Sequence, residues 1–186
     1  AGANKIVLDV TYGSGAFMKT KERAQELANT MMRIGKLAGR ETVAVITPME
    51  EPLGRNVGNN LEVVEAVEAL KGNIAEDVKE VVLALGSNML KLAGKGDNLE
   101  ENKQKMLENI QNGKAYAKLK ELVANQGGDV SYLEDTDKLK KAKYEMPVVF
   151  EEEDVRKREK IEYSNNRESI NNIDMNSKEN SVKAQE

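Results

Sequence analysis

An apolar run at Ile6-Val7-Leu8 leads into Asp9-Val10-Thr11-Tyr12-Gly13-Ser14-Gly15-Ala16-Phe17-Met18: a strand, a two-glycine loop, an aromatic residue and the start of a helical pattern. This order limits the fold more than any other feature of the chain. A buried strand that feeds a helix through a short glycine turn belongs in an open α/β sheet, and such sheets collect ligands where strand carboxyl ends meet helix amino ends. Gly13 and Gly15 carry no Cβ, so either their N–H groups approach a bound molecule or the chain takes positive φ there. Phe17 offers a flat apolar face to a ring. The structural alternative is a tight strand-to-helix turn with Phe17 in the core.

The spacing predicts a strand over 5–10 and a helix over 20–38. Ala24, Leu27, Ala28, Met31, Ile34 and Leu37 form one apolar face of that helix, and Gly39 stands where a left-handed cap is expected. Residues 42–47 are alternating and β-branched, which predicts the next parallel strand, stopped by Pro48. A helix over 60–70 follows, with Asn59 and Glu62 at capping spacing and Gly72 closing it. Val78, Val81, Val82, Leu85, Met89 and Leu92 predict an amphipathic helix over 76–93. Asn98 and Glu101 open a helix to about 111, and Gly113 separates it from a last helix to about 123. The expectation is therefore an α/β chain, a βαβ unit followed by several helices. A polar connection follows Gln126-Gly127-Gly128-Asp129, then a strand at 144–150 interrupted by Pro147, then a charged, asparagine-rich segment at 151–186 that reads as disordered. Within it, Glu151 to Asp154 and Arg156 to Arg158 could form a docking patch, though a solvated tail fits the composition better.

Composition excludes several classes. The chain has no cysteine and no histidine, which removes disulfides, thiol nucleophiles, zinc sites and a Ser-His-Asp triad built from its own residues. A formal charge of −4 and 4% aromatic content argue against a nucleic-acid binder. No apolar run reaches the ~20 residues of a spanning helix, so no membrane role is expected and a cytoplasmic location is.

A second loop, Pro52-Leu53-Gly54-Arg55-Asn56-Val57-Gly58-Asn59-Asn60-Leu61-Glu62-Val63-Val64-Glu65-Ala66, repeats the pattern of loop, glycine and helix start. The two segments, with Ile34-Gly35, Gly39-Arg40, Leu85-Gly86-Ser87-Asn88-Met89, Asn112-Gly113-Lys114-Ala115 and Gln126-Gly127-Gly128-Asp129, resemble the pyrimidine-nucleoside phosphorylases, the group that includes thymidine phosphorylase. The resemblance runs from about Ala3 to Val149 and corresponds to a middle portion of such an enzyme. It implies a partial phosphorylase α/β domain at 1–143, the opening strand of a carboxy-terminal α+β domain at 144–150, and nothing familiar at 151–186.

The implied reaction is pentosyl transfer: phosphate attacks C1′ of a pyrimidine nucleoside, releasing the base and forming a (deoxy)ribose 1-phosphate. It needs no nucleophilic side chain, only orientation, charge stabilisation and exclusion of water. Phe17 matches the phenylalanine that packs against the base. Leu53 and Asn56, through carbonyl oxygens, and Glu65, through its carboxylate, match a set that helps to hold a monovalent cation, potassium, near the phosphate loop in some members. The competing reading of Glu65 is an exposed first-turn acid favoured by the helix dipole. The family's phosphate loop, its base-gripping Arg, Ser and Lys, and a histidine near the base precede the matched part, and none has a counterpart in residues 1–186. No catalytic residue is therefore assigned, and the isolated chain is expected to be inactive. Family members are homodimers through a helical domain that is likewise not represented.

Thr11 stands where the family usually has lysine, and Pro48 where it has an acid. Either the positions drift or activity has lapsed, so a truncated product serving only as an assembly piece is the alternative function. A dinucleotide-binding oxidoreductase is the other enzyme reading, but Met18 occupies the place of the third glycine of that fingerprint.

Overall fold

The computed structural model describes residues 2–139 together with 142, 144 and 147. The expectations for a strand at 144–150 and a disordered segment at 151–186 lie outside the described residues, apart from those isolated positions.

Two parallel strands, β1 (Lys5–Tyr12) and β2 (Glu41–Pro48), pair in register from Lys5 opposite Glu41 to Tyr12 opposite Pro48. The crossover between them is α1 (Lys21–Leu37), so the expected βαβ unit is present, with each strand longer than its apolar run suggested. Thr20 caps α1 and its hydroxyl accepts from the Arg23 N–H. At the other end Gly39 takes φ +68°, the Arg40 N–H reaches the Gly35 carbonyl and the Gly39 N–H reaches that of Lys36, a complete left-handed closure.

The core at this crossover is narrower than the apolar face of α1 implies. Val10, Ala24 and Ala28 are buried, with Leu8, Tyr12, Met18, Ala44 and Ile46 packed around them. Ile34 and Leu37 are 59% and 87% exposed, and Leu27 is also on the surface. Gly35 is buried in their place: a Cβ there would lie 2.1 Å from Thr42 Oγ1. Helical periodicity allowed either stripe, and close approach to β2 selects the one made of small residues.

Among the described residues four longer helices follow: α2 (Asn59–Leu70), α3 (Glu76–Leu92), α4 (Leu99–Gln111) and α5 (Lys114–Asn125). Asn98 caps α4, accepting from the Glu100 and Glu101 N–H groups. The α2 cap differs from expectation. Gly58, at φ +128°, is the capping residue and Asn59 is already helical; the Glu62 carboxylate accepts from the Gly58 N–H at 2.9 Å. The buried face of α3 is also displaced, centring on Leu83 and Ser87 while Val82 and Met89 are exposed. Gly86 explains the shift, because its bare Cα admits Met106 of α4, whose methyl would lie 2.2 Å from an added Cβ. Asn102 of α4 is fully buried and donates to the carbonyls of Ser87 and Gly96.

Where a polar connection was expected, α6 (Ser131–Glu134) and a 3-10 turn (Thr136–Lys138) form. Asp129 accepts from the Ser131 N–H and Asp135 from the Asp137 N–H, so each turn begins on a side-chain acceptor. Buried Leu133 and a Tyr116 hydroxyl bond to its carbonyl fasten α6 to α5.

Candidate functional site

Because Tyr12 and Pro48 pair at the ends of their strands, the loops that follow leave from one edge of the sheet, at the carboxyl ends. They fold as one unit. The Met49 N–H donates to the Tyr12 carbonyl, the Gly15 N–H to the Met49 carbonyl, and the Ser14 hydroxyl to the Glu50 carbonyl. The Ser14 N–H donates to the Glu50 carboxylate at 3.0 Å, and a Cβ on Gly13 would lie 2.8 Å from the same carboxylate. Gly13 sits at φ +125°, whereas Gly15 has no positive φ. Of the two uses open to this loop, Gly13 takes the conformational one. The N–H groups of Gly13, Ser14, Gly15 and Ala16 all have partners inside the chain. Of the four, only the Ser14 N–H meets a carboxylate, that of Glu50; the others are taken by backbone carbonyls.

Phe17, at the end of this loop, is 99% exposed. It is not a core residue. Its neighbour Met18 turns inward, bridging Tyr12 and joining the core, so the aromatic face is left to solvent. Lys19 reaches back to the Ser14 carbonyl at 2.7 Å, placing an ammonium beside the loop.

The second loop is gripped from two helices. Glu65 lies in the second turn of α2, not the first, and is half-buried. Its carboxylate accepts the Arg55 N–H at 2.8 Å and the Asn56 N–H at 2.9 Å. Asp77, in the first turn of α3, accepts the Gly54 N–H at 2.8 Å. That bond, more than any other influence, holds the Asp77 carboxyl below the usual carboxylate range, with a lesser contribution from its bond to the Val78 N–H. A lowered folded-state value means that the stabilisation from Asp77 is fully present above the ordinary carboxylate range and drains away as pH falls through the folded value. Gly54 takes φ +81°, and a Cβ on it would sit 2.7 Å from Glu65 Oε1. The Arg55 guanidinium reaches Asn73 between α2 and α3.

The structure thus brings Leu53, Asn56 and Glu65 into one loop–helix unit, and puts Phe17 on the other loop at the same edge of the sheet. A cavity of about 640 Å³ lies elsewhere, at the amino end of β2, lined by Met32, Arg33, Lys36, Arg40 and Leu92 among others; neither Phe17 nor Glu65 borders it. Glu50 and Asp77 escaped the sequence reading. They stand 36 and 23 residues from the backbone they hold, and no local spacing encodes such pairs.

Replacing Glu65 with alanine leaves the Arg55 and Asn56 N–H groups to water. Charge-assisted bonds of this kind are worth about 1.5–3 kcal/mol, and the better helix propensity of alanine recovers only a few tenths. The variant should lose about 1–2 kcal/mol in urea unfolding with an unchanged slope. The amides of Arg55 and Asn56 should exchange about tenfold faster. Wild-type exchange at those amides would show that Glu65 does not hold the loop.

Residues 1–116 match the family described as "Glycosyl transferase family, a/b domain". The chain belongs to that glycosyl transferase family. It is 53% identical over 148 residues to the pyrimidine-nucleoside phosphorylase of Bacillus subtilis (strain 168), a match that covers 80% of this chain and 34% of the relative. To the pyrimidine-nucleoside phosphorylases of Staphylococcus epidermidis (strain ATCC 12228 / FDA PCI 1200) and Staphylococcus aureus (strain USA300) it is 49% identical over 146 residues, covering 78% of this chain and 34% of each relative. The chain therefore spans about a third of the length of the curated relatives it matches. The family match agrees with the expected glycosyl-transfer class and leaves no ground for the oxidoreductase reading. Among the described residues, no helix of this glycosyl transferase chain is long and apolar enough to cross a membrane.

Proposed function

We propose that this chain is the α/β portion of a pyrimidine-nucleoside phosphorylase, a cytoplasmic enzyme of nucleoside salvage acting as a homodimer. The reaction is attack of inorganic phosphate on C1′ of a pyrimidine nucleoside with departure of the base. The observation that carries the reading is the 53% identity over 148 residues to a pyrimidine-nucleoside phosphorylase. The joined loops at the carboxyl edge of the sheet support it, being where an open α/β sheet presents its ligands. Residues 1–143 are proposed as the partial α/β domain.

In this reading Phe17 is one wall against the pyrimidine. An aromatic side chain left 99% exposed has no packing role among the described residues, and contact with a base would bury it. The carbonyls of Leu53 and Asn56 with the carboxylate of Glu65 would hold a monovalent cation such as potassium. All three are oxygen donors, which suits a hard ion. The carboxylate also has capacity to spare: the Arg55 and Asn56 N–H groups engage it, and a carboxylate offers about four lone-pair positions. Such a cation would supply positive charge beside the phosphate; the protein's part is to fix the loop that carries the carbonyls.

The test is a graft. Residues 3–149 replace their counterpart in the Bacillus subtilis enzyme, and uridine and thymidine phosphorolysis is measured. The graft should turn over nucleoside, and Phe17→Ala should raise its KM. In the 186-residue chain the same substitution should leave unfolding free energy within about 0.5 kcal/mol of wild type, as for an unpacked surface residue. A well-folded graft without phosphorolysis would sink the proposal.

A further inference from the structure

Of the groups that hold the second loop, Asp77 has no part in the reading above, and its position gives it one. Gly54 N–H and Leu53 C=O belong to the same peptide unit. No described peptide bond is cis, and in a trans peptide the N–H and C=O point in opposite directions within one plane. Whatever fixes the Gly54 N–H therefore fixes the Leu53 carbonyl. Asp77 Oδ2 accepts that N–H at 2.8 Å, while Asp77 Oδ1 accepts from the Val78 N–H at 2.8 Å, which locks the carboxylate at the start of α3. The Leu53 carbonyl is thus aimed away from α3. We infer that Asp77 is a positioning residue for the cation site: through the Gly54 N–H it sets the direction of the Leu53 carbonyl, much as outer-shell partners orient metal ligands.

Two further observations make this orientation specific to the site. Leu53 is 53% exposed, so its side chain does not anchor the loop. Gly54 at φ +81° is free to rotate as no other residue would be, and among the described residues Asp77 and the crowding by Glu65 select its plane. Glu65 fixes the next two peptide units through the Arg55 and Asn56 N–H groups. Successive planes are thus set by acids from α2 and α3, and the join between those helices, where Arg55 meets Asn73, becomes part of the ligand geometry.

The inference rests on the cation reading, and the experiment separates the two. The graft of residues 3–149 in the Bacillus subtilis enzyme, which restores the upstream region and is isotope-labelled in the grafted segment, is followed by NMR during titration with KCl, with tetramethylammonium chloride holding ionic strength constant. In the wild type, the Leu53 and Asn56 carbonyl carbons should shift saturably with potassium. In Asp77→Ala, the Leu53 carbonyl should shift before any potassium is added, the Gly54 amide should exchange about tenfold faster, and potassium should bind about tenfold more weakly. Asp77→Asn, which keeps an acceptor oxygen, should restore most of each effect. Glu76→Ala provides the structural control: it removes a neighbouring first-turn acid paired with Lys79, and should lower stability without moving the Leu53 carbonyl or the potassium response. Wild-type Gly54 exchange and an unmoved Leu53 carbonyl in Asp77→Ala would overturn the positioning role. A wild-type graft whose carbonyls ignore potassium, with Gly54 still released by Asp77→Ala, would overturn the cation reading instead and take the ligand-positioning role with it.

Discussion

Incubated with phosphate and either uridine or thymidine, the 186-residue chain should release no base above the buffer rate. The expectation has two independent supports. The chain spans about a third of the relatives it matches, and the phosphate loop implied by the resemblance has no counterpart within it. The glycine loop it does contain cannot stand in. Its N–H groups from Gly13 to Ala16 are spent on Met18, Glu50, Met49 and Gly13 itself. A phosphate entering there would have to displace the Glu50 carboxylate or lie beside it, and like charges at contact distance are repelled. Loss of oriented binding alone is worth about 7–11 kcal/mol of barrier, so the deficit is many powers of ten, far beyond what Lys19 near the loop could recover. Base release that scales with chain concentration and requires phosphate would refute this. The graft with its upstream partner region should be active while the chain alone is silent, which distinguishes an incomplete site from an unrelated one.

How much of this was legible beforehand follows the range of the interactions. Gly39 and Asn98 act on backbone within a few residues, and each does in the structure what its spacing implied, while Thr20, read only as the first helical residue, turns out to be the cap of α1. The two strands and their parallel pairing were legible because β-branched runs joined by a helix leave few topologies. The buried stripes of α1 and α3 were not. Periodicity says that one side is apolar, but Ala24, Ala28 and Gly35 win over Ile34 and Leu37 because the helix lies close to β2, and closeness is a property of the partner as much as of the helix. The same holds at the site. Phe17 and the glycines announce a loop, whereas Glu50, Glu65 and Asp77 reveal themselves as loop anchors only once distant segments are placed together. Glu65 shows the difference plainly: a residue that could be read as a helix-dipole acid proves to lie a turn further in, with its carboxylate pointed at backbone.

Gly35 offers the sharpest test of that account, because two principles predict opposite signs. On propensity alone, alanine in the interior of α1 should stabilise by about 0.8–1 kcal/mol. The packing argument says otherwise. An added Cβ would lie 2.1 Å from Thr42 Oγ1 and 2.9 Å from Thr42 Cβ. Rotation of the threonine can carry the hydroxyl away, but its Cβ is fixed to the β2 backbone, so α1 itself must lift. Lifting loosens Ala24 and Ala28 from Val10, which together make the buried centre of the crossover. Overpacking of this kind costs about 1–3 kcal/mol and occasionally more. Gly35→Ala should therefore be net destabilising by about 1 kcal/mol, once propensity has offset part of the clash. Gly35→Val, bulkier and without the propensity gain, should lose about 3 kcal/mol and largely uncouple α1 from the sheet. Thr42→Ala removes the nearer atom and leaves Cβ, so pairing it with Gly35→Ala should recover about half the loss, a positive coupling readable in a double-mutant cycle by urea unfolding. If Gly35→Ala raises stability and shows no coupling to Thr42, the helix is held by its exposed larger residues after all, and the small-residue seam is not what joins α1 to β2.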